Sequence, residues 1–169
     1  MSEYPIEVIR HSLAHILASA VVELYPQAKP AIGPAIDNGF YYDFDFVDDK
    51  LTEDQLAVLG QKMTALIAQN LSFSQVTKNI DEALVTEQAA NQTYKAEIIA
   101  DLKKQGETTV TYYTVGQFTD LCRGPHVAST ADLASAGFLI HRLAGAYWRG
   151  DEKNKMLTRI YVLAFASQT

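Results

Sequence analysis

Two short histidine motifs, roughly a hundred residues apart, most strongly constrain how this chain can fold. His11-Ser-Leu-Ala-His15 and Cys122-Arg-Gly-Pro-His126 together hold three of the four histidines and the only cysteine. Residues four apart share one face of a helix, and a Cys-x-x-x-His pair can close the opposite side of a pocket. The sequence therefore predicts a fold that brings both ends of the chain to one site.

The composition is typical of a globular chain. Of the 169 residues, 48% are hydrophobic and 20% are charged. A chain of this length buries about two-thirds of its unfolded surface and needs neither a disulfide nor a structural metal to fold. No apolar run approaches the length of a membrane span, about 18 residues, and the N-terminal Met-Ser-Glu-Tyr-Pro lacks the pattern of a signal peptide. We expect a cytoplasmic protein that has no membrane partner.

The charge of the chain is unevenly distributed. The formal net charge of −6 argues against a nucleic-acid partner, because phosphates favour Lys and Arg. Residues 1–110 hold 8 Lys or Arg against 16 Asp or Glu, whereas residues 111–169 hold 6 against 4. The basic residues of the second part form either a solvated surface or a phosphate-facing patch. They include Arg142, Arg149, Lys153, Lys155 and Arg159.

Hydrophobic periodicity predicts the helices. Apolar residues recur at helical spacing from Ile6 to Leu24, which places His11 and His15 on an amphipathic helix. Thr52 and Gln55 form a capping-box pattern at the start of a second helix. Two further helices are expected at 81–88 and 92–104.

Alternation and turn signals predict the strands. Asn38-Gly39 indicates a hairpin because this pair tolerates positive φ at both turn positions. In the hairpin's second strand, aromatic residues should face inward while Asp43 and Asp45 lie on a wet face. The strands are expected at about 31–37, 40–46, 73–78, 108–114, 116–121, 138–149 and 155–166.

The order of these elements predicts an α+β fold, a mostly antiparallel sheet with helices packed on it. We expect a single domain over residues 1–169, with about 108–169 as a candidate C-terminal β-rich subdomain.

The chemistry of the two motifs leaves two kinds of site open. His11, His15, Cys122 and His126 make a reasonable tetrahedral zinc set, which is structural with four protein ligands and hydrolytic with three plus water. Alternatively, imidazoles near neutral pKa, with a lysine and a carboxylate, could position water and a carbonyl without metal. The spacing of the residues does not distinguish the zinc site from the metal-free site.

Two further polar residues lie within or next to these motifs. Asp120 precedes the second motif at a strand end, where it could anchor an amine or orient a histidine, or simply begin a turn. Ser12 stands where a zinc protease motif has its glutamate, and no Gly-x-Ser-x-Gly elbow surrounds it. We therefore interpret Ser12 as an exposed or helix-back-bonded hydroxyl rather than a nucleophile.

Five motifs, in order along the chain, resemble the editing domain of bacterial-type threonyl-tRNA synthetase. They are Arg10-His-Ser-Leu-Ala-His15, Ala31-Ile-Gly-Pro-Ala-Ile-Asp-Asn-Gly-Phe-Tyr-Tyr-Asp43, Asp120-Leu-Cys-Arg-Gly-Pro-His126, Ala144-Gly-Ala-Tyr-Trp-Arg-Gly-Asp151 and Asn154-Lys-Met-Leu-Thr-Arg-Ile-Tyr161. The editing domain of alanyl-tRNA synthetase shares the two histidine motifs, but the second and fourth segments look like the threonyl branch. The resemblance implies the threonyl/alanyl-tRNA synthetase editing-domain fold.

The resemblance also implies an activity, the hydrolysis of mischarged seryl-tRNA(Thr) with release of serine from the tRNA 3′ end. Serine lacks one methyl group of threonine, and a group of that size is worth only about 1–3 kcal/mol of discrimination. Aminoacyl-tRNA synthetases meet this limit with a second, hydrolytic site. The chain would act either as an excised domain, with the remaining synthetase domains as partners, or as a free-standing editor with weak tRNA affinity.

Carried over position by position, the resemblance implies roles for ten residues. The catalytic group is His11, His15, Lys95, Cys122 and His126, and the substrate-binding group is Gly33, Tyr42, Asp120, Leu121 and Arg123.

Three of these roles are specific. Lys95 corresponds to a lysine that positions water or senses the extra methyl group, and Asp120 to the residue that meets the aminoacyl amine. Tyr42 corresponds to a pocket wall near the terminal adenosine. The threonyl branch works without metal, so we expect no cofactor, with zinc on His11, His15, Cys122 and His126 as the alternative.

Overall fold

The computed structural model describes residues 3–167 and has an α+β architecture. Its helices are α1 (Ile6–Leu24), α2 (Leu56–Ala68), α3 (Ile80–Ala89) and α4 (Thr93–Lys104). Its strands are β1 (Lys29–Pro30), β2 (Ala35–Ile36), β3 (Gly39–Asp45), β4 (Phe73–Asn79), β5 (Thr109–Val115), β6 (Phe118–Leu121), β7 (Gly137–Tyr147) and β8 (Met156–Phe165). All strand pairings within these elements are antiparallel, which confirms the predicted fold class.

The strands form two sheets. In the larger sheet β1 and β2 both pair with β3, β3 pairs with β8, and β8 pairs with β7. The smaller sheet has the order β4-β5-β6. The strands after residue 108 are therefore divided, since β5 and β6 join β4 whereas β7 and β8 join β3. The candidate C-terminal subdomain of about 108–169 stays a prediction.

Helix α1 lies at the centre of the core. Leu13, Ile16 and Leu17 are fully buried in one cluster with Phe40 and Phe44 of β3. The helix is less amphipathic than its sequence suggested, because every residue from 9 to 21 is buried except His11. The one residue of this stretch that is not fully buried is thus the half-buried His11.

The hairpin forms around the expected turn, but its first strand is broken. Instead of a continuous strand over 31–37, β1 and β2 flank an irregular segment, 31–34, that lies beside β3. The helix predicted to start at Thr52 begins with a 3₁₀ turn, Glu53–Gln55, and has both bonds of the capping box. Among the residues described, no helix combines the length and apolarity needed to cross a bilayer.

The prediction that Asp43 and Asp45 lie on a solvent-exposed face of β3 is wrong. Asp43 and Asp45 are only 4% and 7% exposed. Asp43 accepts two hydrogen bonds from the Arg159 guanidinium, at 2.8 and 3.0 Å, and Asp45 accepts one from the Tyr94 hydroxyl at 2.6 Å. Side chains from β8 and α4 cover this face, so the carboxylates are buried and paired.

Three of the five basic residues named near the C-terminus are paired with carboxylates. Arg159 pairs with Asp43, and Lys155 pairs with Asp45 at 2.8 Å. Arg149 pairs with Asp101. These three residues neutralise carboxylates from the earlier, acidic part of the chain. Most of the positive charge that a phosphate-facing patch would need is therefore already paired.

Gly39 should tolerate no side chain. A Cβ atom at this position would lie 1.8 Å from the backbone oxygen of Val162 on the adjacent strand. We expect Gly39→Ala to lower the free energy of unfolding by about 3 kcal/mol, because backbone atoms of two paired strands must separate. The matched control is Gly60→Ala in α2, where the nearest neighbour is 4.0 Å away, and a gain of about 0.5–1 kcal/mol is expected. Equal denaturation midpoints for the two variants would contradict this account.

Candidate active site

One pocket collects all ten residues that the sequence assigned to the site. It has a volume of about 760 Å³ and lies where α1, β3, α4 and β6 meet. Its lining includes His11, His15, Gly33, Tyr42, Lys95, Asp120, Leu121, Cys122, Arg123 and His126. The prediction that the fold joins both histidine motifs at one site is confirmed, while the roles of the individual residues stay predictions.

Cys122 is the centre of the histidine cluster. Its Sγ lies 3.1 Å from His11 Nε2 and 3.1 Å from His126 Nε2. The backbone N–H of Gly124 donates to the same sulfur at 3.3 Å. Gly124 has a φ of +74°, and a Cβ there would lie 2.3 Å from the Tyr113 hydroxyl oxygen. The turn that carries Cys122 into the pocket therefore needs glycine.

His15 lies at the side of this cluster, with its ring in edge contact with that of His126 at a centroid distance of 5.3 Å. Its ring makes edge contacts with Phe73 and Phe118, at centroid distances of 5.6 and 5.0 Å, and its Nε2 is buried with no hydrogen-bond partner among the described residues. The four-residue zinc set stays a prediction. Among residues 3–167, the ligand atoms of His11, Cys122 and His126 lie within 4.8 Å of one another, and His15 is not part of that group. Zinc binds imidazole nitrogens and a cysteine thiolate, so a three-ligand site that takes the proton from Cys122 fits these residues as well as a metal-free cluster does.

Burial keeps the cluster uncharged at neutral pH. Desolvation, reinforced by His11 and His15, lowers the pKa of His126 to about 3, and desolvation also lowers the pKa of His11. The pKa of Cys122 is raised to about 11, mainly by desolvation. Cys122 is thus a thiol, not the thiolate that a nucleophilic cysteine requires.

A buried ion pair lines the same pocket as the histidines. Lys95 Nζ is 2.8 Å from Asp120 Oδ1, and the Tyr42 hydroxyl donates to Asp120 Oδ2 at 2.6 Å. All three side chains are nearly inaccessible, with 6%, 7% and 3% exposure. Burial alone would raise the pKa of Asp120, but the Lys95 charge, His15 and the hydrogen bonds outweigh it and lower the pKa. The pocket therefore holds an ionised carboxylate beside neutral imidazoles.

The start of α4 explains how a lysine comes to be buried. Tyr94 and Lys95 are consecutive, and both are buried. The Tyr94 hydroxyl binds Asp45 on the larger sheet, whereas Lys95 binds Asp120 on the smaller one. Lys95 also donates to the Tyr42 hydroxyl of the larger sheet at 3.3 Å, so the two residues hold the start of α4 against both sheets.

Sequence reasoning missed part of the pocket wall. Ile98 and Leu102 of α4 line the pocket with Lys95, as do residues 109–111 of β5. The spacing 95, 98, 102 is that of one helix face, so the signal was present once Lys95 had been selected. Of the two interpretations of Ser12, the exposed hydroxyl is wrong because Ser12 is fully buried, and the helix-back-bonded one is confirmed because its Oγ donates to the Val8 carbonyl at 2.8 Å.

Comparison with known proteins agrees with the resemblance drawn from the sequence. Residues 110–161 match the family described as the threonyl and alanyl tRNA synthetase second additional domain. The chain is 45% identical over 161 residues to the threonine–tRNA ligase of Bdellovibrio bacteriovorus, an alignment that covers 95% of the chain and 24% of the ligase. It is 49% identical over 163 residues to that of a Janthinobacterium species, covering 96% and 25%.

These matches define the chain first as one that contains a threonyl and alanyl tRNA synthetase second additional domain. More particularly, over nearly its whole length it corresponds to the editing-domain region of threonyl-tRNA synthetase. The chain spans about a quarter of the length of the relatives it matches.

His15 should make stability depend on pH. Desolvation lowers the pKa of His15 from 6.5 to about 4 in the folded chain. Between these values the unfolded chain binds more protons, so the free energy of unfolding falls as the pH drops from 6.5 toward 4, by on the order of 3 kcal/mol for this residue. Denaturant unfolding across this range should show a shallower pH dependence in His15→Asn. His141→Asn, at an exposed position of β7, is the control. If His15→Asn left the slope of unfolding free energy against pH unchanged, His15 would not be the source of this pH dependence.

Proposed function

We propose that this chain hydrolyses mischarged seryl-tRNA(Thr) and releases serine from the tRNA 3′ end. The observation that carries the proposal is the Lys95–Asp120 ion pair lining the same pocket as the neutral His11–Cys122–His126 cluster. Such a site offers a carboxylate for an amine, an ammonium for a developing oxyanion, and neutral imidazole nitrogens that can accept a proton.

The amino acid would be held by charge and shape. The Asp120 carboxylate is the acceptor for the aminoacyl ammonium group, and Tyr42 and Lys95 hold that carboxylate in place. The backbone at Gly33 packs on the Tyr42 ring so closely that a Cβ would lie 2.2 Å from it. This close packing makes the Tyr42 wall rigid, which suits a pocket that must accept serine and misplace threonine.

The hydrolytic step needs a proton acceptor and an electrophilic partner. Water attacks the ester carbonyl carbon and gives a proton to the His11 imidazole, while the Lys95 ammonium stabilises the charge on the carbonyl oxygen. The bond from that carbon to the ribose oxygen then breaks, and the proton passes from His11 to that oxygen, which leaves as the ribose hydroxyl. The products are serine and uncharged tRNA.

The proposed partner is tRNA(Thr), because the relatives are threonine–tRNA ligases. The net charge of −6 and the pairing of the C-terminal basic residues predict weak tRNA affinity for this chain alone. Two settings fit this, a domain whose neighbours in a synthetase supply the affinity, or an editor acting in trans. In either case we place the reaction in the cytoplasm.

The test is a deacylation assay that compares seryl-tRNA(Thr) with threonyl-tRNA(Thr). We expect release of serine well above the spontaneous rate, with threonyl-tRNA(Thr) spared, and no effect of a chelator. Release at the spontaneous rate would refute the proposal. Loss of activity on chelation, restored by zinc, would instead favour the three-ligand metal site of His11, Cys122 and His126.

His11 should be essential for the chemical step. We expect His11→Ala to lower kcat for serine release by about 10²-fold or more, the usual contribution of a general base. Its matched control is His141→Ala, an exposed histidine outside the pocket, which should retain the full rate. A normal rate in His11→Ala would remove His11 from the mechanism.

A further inference from the structure

Ser12 is a fully buried hydroxyl that joins the two histidine motifs. Its Oγ lies 2.8 Å from the Val8 carbonyl oxygen, 3.0 Å from the backbone nitrogen of Val127 and 3.2 Å from His126 Nδ1. A hydroxyl has one hydrogen to donate and two lone pairs that accept. Three neighbours therefore use its full capacity, and each must take a defined role.

The direction of these hydrogen bonds follows from the acceptors. A carbonyl oxygen cannot donate, so the contact of 2.8 Å between Ser12 Oγ and Val8 O must contain the Ser12 hydrogen. The Val127 N–H donates to the first lone pair of Oγ. For the neutral His126 ring, the remaining contact is a hydrogen bond only if Nδ1 carries the ring proton and donates it to Oγ.

This direction continues through the cluster. With its proton on Nδ1, His126 presents a bare lone pair at Nε2, 3.1 Å from Cys122 Sγ. The single thiol hydrogen of Cys122 is then donated to His126. The other nitrogen on the sulfur, His11 Nε2 at 3.1 Å, must therefore donate its own hydrogen to Sγ. In this arrangement Nδ1 is the unprotonated nitrogen of His11.

We propose that Ser12 is a positioning residue that sets the tautomers of His126 and, through Cys122, of His11, so that His11 accepts a proton at Nδ1. The hydrogen bonds all run in one direction. His11 Nε2–H donates to Cys122 Sγ, and the Cys122 S–H donates to His126 Nε2. His126 Nδ1–H then donates to Ser12 Oγ, whose O–H donates to the Val8 carbonyl. The role of Ser12 in catalysis rests on the proposed hydrolysis, but the assignment of the two histidine tautomers does not.

The tautomers are measurable by NMR without any variant. Long-range ¹H–¹⁵N correlation spectra of the ¹⁵N-labelled full chain, recorded near neutral pH with chelator present, distinguish a protonated from a bare ring nitrogen. We expect His126 to be protonated at Nδ1 and His11 at Nε2. A His126 ring protonated at Nε2, or a His11 ring protonated at Nδ1, would overturn the proposal.

Three substitutions on α1 separate positioning from mere packing. Ser12→Ala removes the acceptor of His126 Nδ1–H, so the His126 and His11 signals should move toward the other tautomer or a mixture. Ser12→Thr keeps the hydroxyl and should restore the parent pattern. Ser19→Ala, which removes another buried hydroxyl of the same helix outside the pocket, should leave all histidine signals unchanged. Unaltered tautomers in a folded Ser12→Ala protein would contradict the role of Ser12.

The kinetic readout keeps this inference distinct from the proposed function. If the parent chain releases serine, Ser12→Ala should lower kcat about tenfold with little change in KM, because binding by Asp120 is untouched. If the parent chain releases no serine, the proposed function fails and the NMR result still decides the tautomers. If serine is released at a normal rate and His126 carries its proton at Nε2, only the inference on Ser12 fails.

Discussion

The buried ion pair between Lys95 and Asp120 is the interaction on which the site depends. It connects α4 to β6 of the smaller sheet, and the Tyr42 hydroxyl ties the same carboxylate to β3 of the larger sheet. Removing one partner of a buried pair leaves an uncompensated charge and typically costs about 3–5 kcal/mol, yet an intact pair is often no more stable than an apolar replacement. Its presence in a pocket is therefore better explained by chemistry than by stability.

Three consecutive residues of α1 hold the other side of the pocket. Arg10 donates to the backbone oxygens of Ala164, Ile36 and Asp37, which fixes the helix to the hairpin and to β8. Ser12 fixes the same helix to the turn that carries His126. His11 lies between these two anchors, so its position is set by contacts on either side.

The sequence predicted most of the elements and the meeting of the two histidine motifs, because periodicity and turn chemistry are local signals. It did not predict the burial of Asp43 and Asp45, because their partners Arg159 and Tyr94 come from distant segments. Lys95 was selected by resemblance alone, since a lysine near a helix start is usually solvated. The pairing of Arg149 and Lys155 with acidic residues, and the division of the later strands between two sheets, are likewise tertiary features that no local pattern encodes.

The pocket is built around an ionised Asp120 that is held by Lys95 and Tyr42. The most direct test is ¹³C NMR of the Asp120 side-chain carboxyl across an acid titration of the native chain. The account predicts a carboxylate whose titration midpoint lies below the ordinary aspartate value of 3.8, because the Lys95 charge outweighs the effect of burial. A midpoint above that value, or a protonated Asp120 at neutral pH, would contradict the account.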